Sequence, residues 1–183
     1  MVHAKDLLTY YAPPSPEEKV YKRMMLDFIS LHPNAFQRSC IVGHFTASAW
    51  IVNQDFNKAL LTHHRKLDKW IQLGGHCDGD SHLIRVANKE VEEESGLKSP
   101  LMLSPDVFDI DIHLIPSRPQ EPAHYHYDVR FLFQAHDSTP LVINHESKKL
   151  AWVDLDSIET LTKEDSVLRM ARKSRSLCTT FVT

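Results

Sequence analysis

The amino-acid sequence predicts an α/β fold, in which a mixed sheet carries helices on its faces and follows a helical N-terminal extension. Apolar runs with strand-type alternation, separated by segments with helical spacing, indicate the sheet and its helices. Four of the five glycines fall within residues 74–96, where a loop leads into a glutamate-rich helix. With 183 residues, 42% of them hydrophobic, we expect a single domain over residues 1–183.

The predicted extension covers residues 1–38. Ser15 followed by Pro16 and Glu18 is the pattern of a helix N-terminus with proline at its first position. The apolar residues that then recur at helical spacing are Val20, Met24, Phe28 and Leu31. We expect them to pack, and three roles stay open: docking on the outer face of the sheet, walling a substrate pocket or forming a dimer contact.

The core of the fold is predicted over residues 41–177. The strands expected there are 47–52, 59–63, 70–73, 107–115, 124–134 and 150–153. The first two form a hairpin, the third leads into the glycine loop, and the fourth and fifth form a second pair. A basic helix over 166–177 follows the last strand.

A glycine pair that begins at Gly74 interrupts the third strand. Glycine reaches positive φ without steric cost, so a loop is expected to start there. Asp80 or Ser81 suits the N-cap of a helix that runs to Ser95, because the stretch contains neither proline nor an internal glycine. Gly96 stands where a left-handed C-cap is expected.

Acidic residues on this helix share its apolar face. Glu90 and Glu94 lie on the same stripe as Leu83, with Glu93 beside them, whereas Glu92 points to the opposite side. Like charges repel more strongly as burial lowers the dielectric, so a cation is expected among them. Clustered carboxylates near a glycine-loop carbonyl suit Mg²⁺ or Mn²⁺, and the alternative is a structural acidic helix.

This window resembles the box of the Nudix hydrolases, G-x5-E-x7-R-E-U-x-E-E-x-G-U, in which U is aliphatic. Gly75 opens the box, and the positions that match without a gap are Glu90, Val91, Glu93, Glu94, Gly96 and Leu97. Ser81 replaces the first glutamate and Lys89 replaces the arginine. In the family those two residues brace the loop and helix, and here Asp78 or Asp80 is expected to supply the brace. The resemblance covers about residues 41–177.

The resemblance implies an α/β/α sandwich and a pyrophosphohydrolase. Its metal site would comprise the Gly75 carbonyl and the carboxylates of Glu90, Glu93 and Glu94, which would hold Mg²⁺ or Mn²⁺ as the cofactor. The expected reaction is hydrolysis of a pyrophosphate bond in a nucleoside diphosphate linked to another moiety X. Glu90 is the first choice for the general base, with an acid or histidine of residues 113–128 as the alternative.

Two other functions stay open. The departures at Ser81 and Lys89 are compatible with a Nudix-like module that senses a nucleotide or metabolite without cleaving it, although the retained carboxylates favour an enzyme. Diphosphate isomerisation on the same fold is a third hypothesis, which would require a specialised Cys and Glu pair.

Histidines are numerous, with 12 in the chain. His113, His124 and His126 come from strands expected to be neighbours, and such a group can bind a transition metal, hold a phosphate or act as a general base. The alternative is a polar sheet face. The residues predicted to bind substrate are His76, Asp78, His124, His126, Asp128 and Arg130.

Composition limits the partners. The net charge of −3 and the scattered basic residues do not indicate nucleic acid, so a small molecule is expected, and a homodimer stays open. No apolar run approaches eighteen residues and the N-terminus lacks a signal-peptide core, which predicts a cytoplasmic protein without membrane contact. Cys40, Cys77 and Cys178 have no metal-ligand spacing and suggest no disulfide framework.

Overall fold

The computed structural model describes residues 3–119 and 121–181, with side chains described up to residue 177 in the last helix. The helices are α1 (Ala4–Tyr10), α2 (Pro16–Leu31), α3 (Leu83–Ser95), α4 (Ile158–Leu161) and α5 (Asp165–Phe181). The strands are β1 (Gly43–Val52), β2 (Lys58–His64), β3 (Lys69–Ile71), β4 (Leu73–His76), β5 (Leu101–Met102), β6 (Asp109–Ile115), β7 (His124–Gln134) and β8 (Ser147–Asp154). Within the described residues, no helix is both long and apolar enough to span a bilayer.

The strands form an eight-stranded sheet with the central order β3-β2-β1-β7-β5, in which β4 pairs with β1, β6 with β7 and β8 with β2. Strands β1 and β7 run parallel, because the Val42 carbonyl accepts from Tyr125 N–H at one end and the Val52 carbonyl accepts from Ala135 N–H at the other. The pairs of β2 with β1, β3 and β8, and of β7 with β5 and β6, are antiparallel. The predicted mixed sheet with helices is therefore confirmed.

The chain forms two compact units. The first comprises Met1–Ser48, Gly74–Ala87 and Pro105–Phe131, and the second comprises Ala49–Leu73, Asn88–Ser104 and Leu132–Thr183. Strands β1 and β7 and helix α3 each continue from one unit into the other. The expected single domain stays a prediction.

In the first unit, α2 packs on the sheet through Phe28, whose ring stacks on Tyr127 with centroids 4.1 Å apart. Docking on the sheet, one of the three roles left open, is thus observed. The predicted packing face is nevertheless wrong for Val20, Met24 and Leu31, which are exposed, whereas the core side chain beside Phe28 is Met25. Helical spacing fits either set, and contact with the sheet selects the face.

The start of α2 is formed as predicted, since Ser15 Oγ accepts from Glu18 N–H at 3.1 Å and Pro16 is the first helical residue. The Glu18 carboxylate is buried and accepts from Tyr11 Oη at 2.5 Å and from Ser15 Oγ at 3.0 Å. A buried carboxylate is stable only when such donors satisfy it, so this pair ties the end of α1 to α2.

In the second unit, β2 lies between β3 and β8, and the C-terminal helix α5 packs below Trp50. The indole Nε1–H of Trp50 donates to Ser174 Oγ at 2.7 Å, which satisfies the one polar atom of a fully buried ring. The expected strand 70–73 is interrupted at Gln72 and becomes β3 and β4. Strand β1 begins at Gly43, earlier than predicted.

Candidate active site and histidine cluster

The glycine loop follows β4. No side chain fits at Gly74, because its Cβ would lie 2.2 Å from Ser48 Oγ and 2.7 Å from Ser48 Cα. The chain turns after His76, through Asp78 and Gly79 with φ of 48° and 92°, conformations that favour glycine and tolerate aspartate. Gly75 is half-buried within β4. The loop therefore begins at Cys77, three residues later than predicted, and Gly74 is required for close approach rather than for the turn.

Both loop aspartates brace the loop, as expected. Asp78 pairs with Arg38, whose Nε and Nη2 donate to its two oxygens at 2.6 and 2.9 Å. Asp80 pairs with Arg85 in the same bidentate way at 2.7 Å for both bonds, and these bonds lower the pKa of Asp80. The guanidinium groups thus come from Arg38 and Arg85 instead of the position that Lys89 occupies.

Helix α3 begins at Leu83, two residues after the predicted start. Asp80 Oδ1 accepts from His82 N–H at 2.8 Å, so the aspartate closes a local turn just before the helix. At the other end Gly96 has φ of 71° and its N–H donates to the Glu92 carbonyl at 3.0 Å. The predicted left-handed C-cap is confirmed.

The three glutamates of α3 have different environments. Glu94 is 2% exposed and the Glu90 side chain 14% exposed, whereas the Glu93 side chain is 55% exposed. Lys89 Nζ lies 3.4 Å from Glu93 and 4.0 Å from Glu90. The expectation that the acids share the apolar face is confirmed for Glu90 and Glu94 and wrong for Glu93, which lies at its solvent edge.

Five histidines of the first unit form one cluster, which we call the histidine cluster. Four of the rings are close neighbours, with 4.9–5.1 Å between the centroids of the rings that contact each other. They belong to His44, His76, His124 and His126. The fifth, His113, lies 5.4 Å from His126. His124 Nε2 and His126 Nε2 are 3.2 Å apart.

Burial makes these imidazoles hard to protonate. Desolvation, with repulsion from neighbouring cationic groups, lowers the pKa of His76 to about 4 and that of His126 to about 2. Burial and the nearby His124 also lower the pKa of His44. At neutral pH the rings of His44, His76 and His126 are therefore uncharged, and they present nitrogen lone pairs and N–H groups rather than positive charge.

A buried ion network lies on β6 and β7, the strands that also carry His113, His124 and His126. Arg130 donates through Nε to Asp128 at 2.7 Å and through Nη1 to Asp109 at 3.0 Å, and its Nη2 lies 3.4 Å from Asp111. Although burial opposes the charged form, the three aspartates raise the pKa of Arg130. Asp128 Oδ1 also accepts from Thr46 and Ser48 on β1, at 2.9 and 2.8 Å.

The predicted substrate-binding residues therefore separate into groups. His76, His124 and His126 belong to the histidine cluster, Asp78 is exposed at the loop, and Asp128 and Arg130 are buried in the ion network. The network holds strands in register, and any contact of its members with substrate stays a prediction.

Sequence reasoning missed His44, Arg38 and the aspartates of β6. A strand predicted from residue 47 left His44 outside the sheet. Extending the alternation back to Gly43 would have placed His44 on the same face as Thr46 and Ser48.

A cleft of about 250 Å³ in the second unit is lined by residues that include Gln54, Lys98, Gln134 and His136. It contains none of the residues predicted to form the site. The predicted site residues lie instead on the glycine loop, on helix α3, in the histidine cluster and in the ion network.

Comparison with known proteins gives a family match. The model of the NUDIX domain matches residues 43–172, which is more than half of the chain. By sequence, no curated protein matches.

Solved structures share the fold at low sequence identity. An Ap4A hydrolase from C. elegans, in a binary complex, is 15% identical with a TM-score of 0.61, over 75% of this chain and 98% of that chain. The dihydroneopterin triphosphate pyrophosphohydrolase of E. coli is 18% identical with a TM-score of 0.56, over 70% and 92% of the two chains. The NUDIX domain of Shewanella oneidensis NrtR, in complex with ADP ribose, is 16% identical with a TM-score of 0.53, over 82% and 96%.

Proposed function

Because the chain belongs to the NUDIX domain family, whose enzymes are pyrophosphohydrolases, we propose that it hydrolyses the pyrophosphate bond of a nucleoside diphosphate linked to another moiety X. The family resemblance read from the sequence is confirmed by the match over residues 43–172. The observation that carries the proposal is the pair of acids on α3: Glu94 is almost fully buried and Glu90 largely so, on a helix that follows a glycine loop braced by two arginines.

The carboxylates of Glu90, Glu93 and Glu94 are the proposed ligands of Mg²⁺ or Mn²⁺. The donor set fits such an ion, because hard divalent cations take carboxylate oxygens and three acids within five residues of one helix supply them. The participation of the Gly75 carbonyl stays a prediction.

The residues have distinct proposed roles. When bound, the divalent cation would neutralise the phosphate oxygens and lower the pKa of a water molecule. Glu90 accepts the proton of the attacking water, and its small exposed fraction leaves one side of the carboxylate accessible for that contact. Glu93, at the solvent edge, would contribute a carboxylate oxygen to the cation. A histidine of the cluster is the alternative base, although its low pKa makes it a weak one.

The substrate class is a small anhydride that carries a nucleoside or a related heterocycle. The similar structures concern Ap4A, dihydroneopterin triphosphate and ADP ribose, which all contain phosphoanhydride or pyrophosphate linkages attached to such a group. We propose that Asp78 and His76 at the loop, and His124 and His126 of the cluster, contact this substrate. A cytoplasmic location and a homodimer stay predictions.

The test measures phosphate and nucleotide release with Mg²⁺ and with Mn²⁺, across dinucleoside polyphosphates, nucleoside triphosphates, ADP ribose and nucleotide sugars. The variant is Glu94→Gln, and the matched control is Glu92→Gln, which makes the same charge change on the exposed side of the same helix. We expect cation-dependent turnover that Glu94→Gln reduces by at least about 10²-fold and that Glu92→Gln retains. Equal turnover in Glu94→Gln and wild type would refute the assignment.

A second function is favoured by one observation. Lys89 Nζ lies within 4.0 Å of both Glu90 and Glu93, where it competes with a metal ion for their charge. This contact fits a module that senses a nucleotide without cleaving it. Saturable binding of ADP ribose or another panel compound, with no product even after prolonged incubation, would select the module over the enzyme.

A further inference from the structure

The histidine cluster contains a set of nitrogen atoms with the spacing of metal ligands. One ring nitrogen from each of His44, His124 and His126 lies within 4.8 Å of the other two. One of these pairs, His124 Nε2 and His126 Nε2, is 3.2 Å apart. Two nitrogens bound to Zn²⁺ at about 2.0–2.1 Å in a tetrahedral site are roughly 3.3–3.4 Å apart, so this pair already has the separation of two ligands of one ion.

The hydrogen bonding of His124 prepares it to ligate. Its Nδ1 lies 2.8 Å from the Pro122 carbonyl, to which it donates its proton in the neutral ring. Nε2 is then left with a free lone pair directed at His126. Metal-bound histidines nearly always donate their other N–H to a carbonyl or carboxylate in this way, which fixes the tautomer and the ring orientation.

His44 supplies an independent observation. Its side chain is 3% exposed, and neither ring nitrogen makes a hydrogen bond of acceptable geometry to a described residue. An unsatisfied buried polar group costs free energy, and native structures rarely keep one without a function or a bound partner. The ring centroid lies 4.9 Å from those of both His124 and His126, and one of its nitrogens lies within 4.8 Å of theirs.

Acidic side chains lie near the three histidines. Glu121 Oε1 lies 3.8 Å from His124 Nε2 and can approach as a further oxygen ligand. Further along β6 and β7, starting two residues after His126, three aspartates surround the guanidinium of Arg130. They are Asp109, Asp111 and Asp128. His113 Nδ1–H donates to Asp111 Oδ2 at 3.1 Å, and His113 is therefore held at the edge of the set.

We propose that His44, His124 and His126 bind one divalent transition-metal ion of the Zn²⁺ class. This site shares no ligand with the proposed Mg²⁺ or Mn²⁺ site on α3. Three imidazole ligands with an open fourth position match the histidine sites of Zn²⁺ and related ions. Mg²⁺ is excluded from this set because it takes oxygen ligands. The ion links β1 to β7 at their N-terminal ends, where His44 and His124 stand.

Without an ion, the same atoms form a plain hydrogen bond, in which His126 Nε2–H donates to His124 Nε2. The two arrangements differ in a measurable way. The metal site takes one ion per chain and depends on all three histidines, whereas the hydrogen bond takes none.

The test titrates the full chain, after chelator treatment, with Zn²⁺ and with Co²⁺ as a spectroscopic substitute. We expect one Zn²⁺ per chain, a raised Tm on binding and the visible absorption of tetrahedral Co²⁺. The variants are His126→Gln and His124→Gln, and the control is His145→Gln, whose side chain is 91% exposed. Each cluster variant should weaken Zn²⁺ binding by at least about 10–100-fold, and the control should bind as wild type does.

Two further results are expected of the Zn²⁺ site. Excess Mg²⁺ should not displace the bound Zn²⁺, and Glu94→Gln should bind Zn²⁺ normally even though its proposed turnover is lost. If His124→Gln fails to fold, His126→Gln, at a half-buried position, carries the same test with circular dichroism as the check of folding. Zn²⁺ binding that is absent in wild type, or unchanged in both cluster variants, would overturn the proposal.

Discussion

Replacing Arg130 with methionine tests whether the buried ion network supports the sheet. The guanidinium is 1% exposed and lies within 3.4 Å of carboxylate oxygens from Asp109, Asp111 and Asp128. Methionine has a similar length and removes the charge and every donor. The three carboxylates are then left buried without the cation that Arg130 supplied.

The expected cost follows from this geometry. Removing one partner of a buried ion pair costs about 3–5 kcal/mol, because the remaining charge stays desolvated. For a chain of this size, each kcal/mol corresponds to roughly 2–4 °C in Tm, so Arg130→Met should lower Tm by about 6–20 °C. The deficit should shrink as pH falls, because protonation of the stranded carboxylates removes the uncompensated charge.

Urea titration and thermal unfolding at pH 7 and pH 5 measure this effect. The matched control is Arg85→Met, which removes an arginine that also makes two hydrogen bonds to carboxylate oxygens, here both of Asp80, but at an exposed position. Exposed ion pairs contribute little, so Tm of the control should stay close to wild type. Equal shifts in the two variants, or a deficit for Arg130→Met that grows on acidification, would refute the reasoning.

Three further predictions concern the first unit. Gly74→Ala should lower the unfolding free energy by about 1–3 kcal/mol or more, because its Cβ would overlap the backbone of β1; an unchanged urea midpoint would contradict this. Tyr11→Phe, which removes a donor from a buried carboxylate, should cost about 1–3 kcal/mol in the same assay, whereas Tyr21→Phe at an exposed pair should cost little. In chelator-treated protein the pKa of His76 is about 4 in the folded state, which is below its pKa in the unfolded chain. The unfolded chain therefore binds more protons, and the free energy of unfolding falls as the pH is lowered from 7 towards 4. His76→Asn should reduce that loss by up to about 1.4 kcal/mol per pH unit, and His145→Gln should leave the pH profile unchanged.

Much of the local structure could be predicted because its causes lie within a few residues. The start of α2 at Ser15, the C-cap at Gly96 and the pairing of β6 with β7 follow from capping residues, glycine conformation and alternation. The box at residues 75–97 could be recognised for the same reason, since its residues are fixed in spacing along one loop and one helix.

Errors arose where a side chain had two local options. Met24 and Met25 are equally apolar, and only contact with the sheet places Met25 inside. The sequence predicts Asp80 or Ser81 as the N-cap of α3, but Asp80 is bonded to His82 and Arg85 and the helix begins only at Leu83. The spacing of Glu93 along the helix fits the apolar face, yet its side chain is 55% exposed. The exposure of a residue at the edge of that face depends on the tertiary packing around the helix.

The sequence by itself determined the family, the glycine loop and the acidic helix, because each depends on residues close together in the chain. Only the tertiary structure brought His44 to His124 and His126, and the β6 aspartates to Arg130. These contacts depend on β1 lying parallel to β7 and on the register of β6 with β7. Pairing partners of strands are chosen by the burial of the whole sheet, a long-range condition that no local pattern of residues specifies.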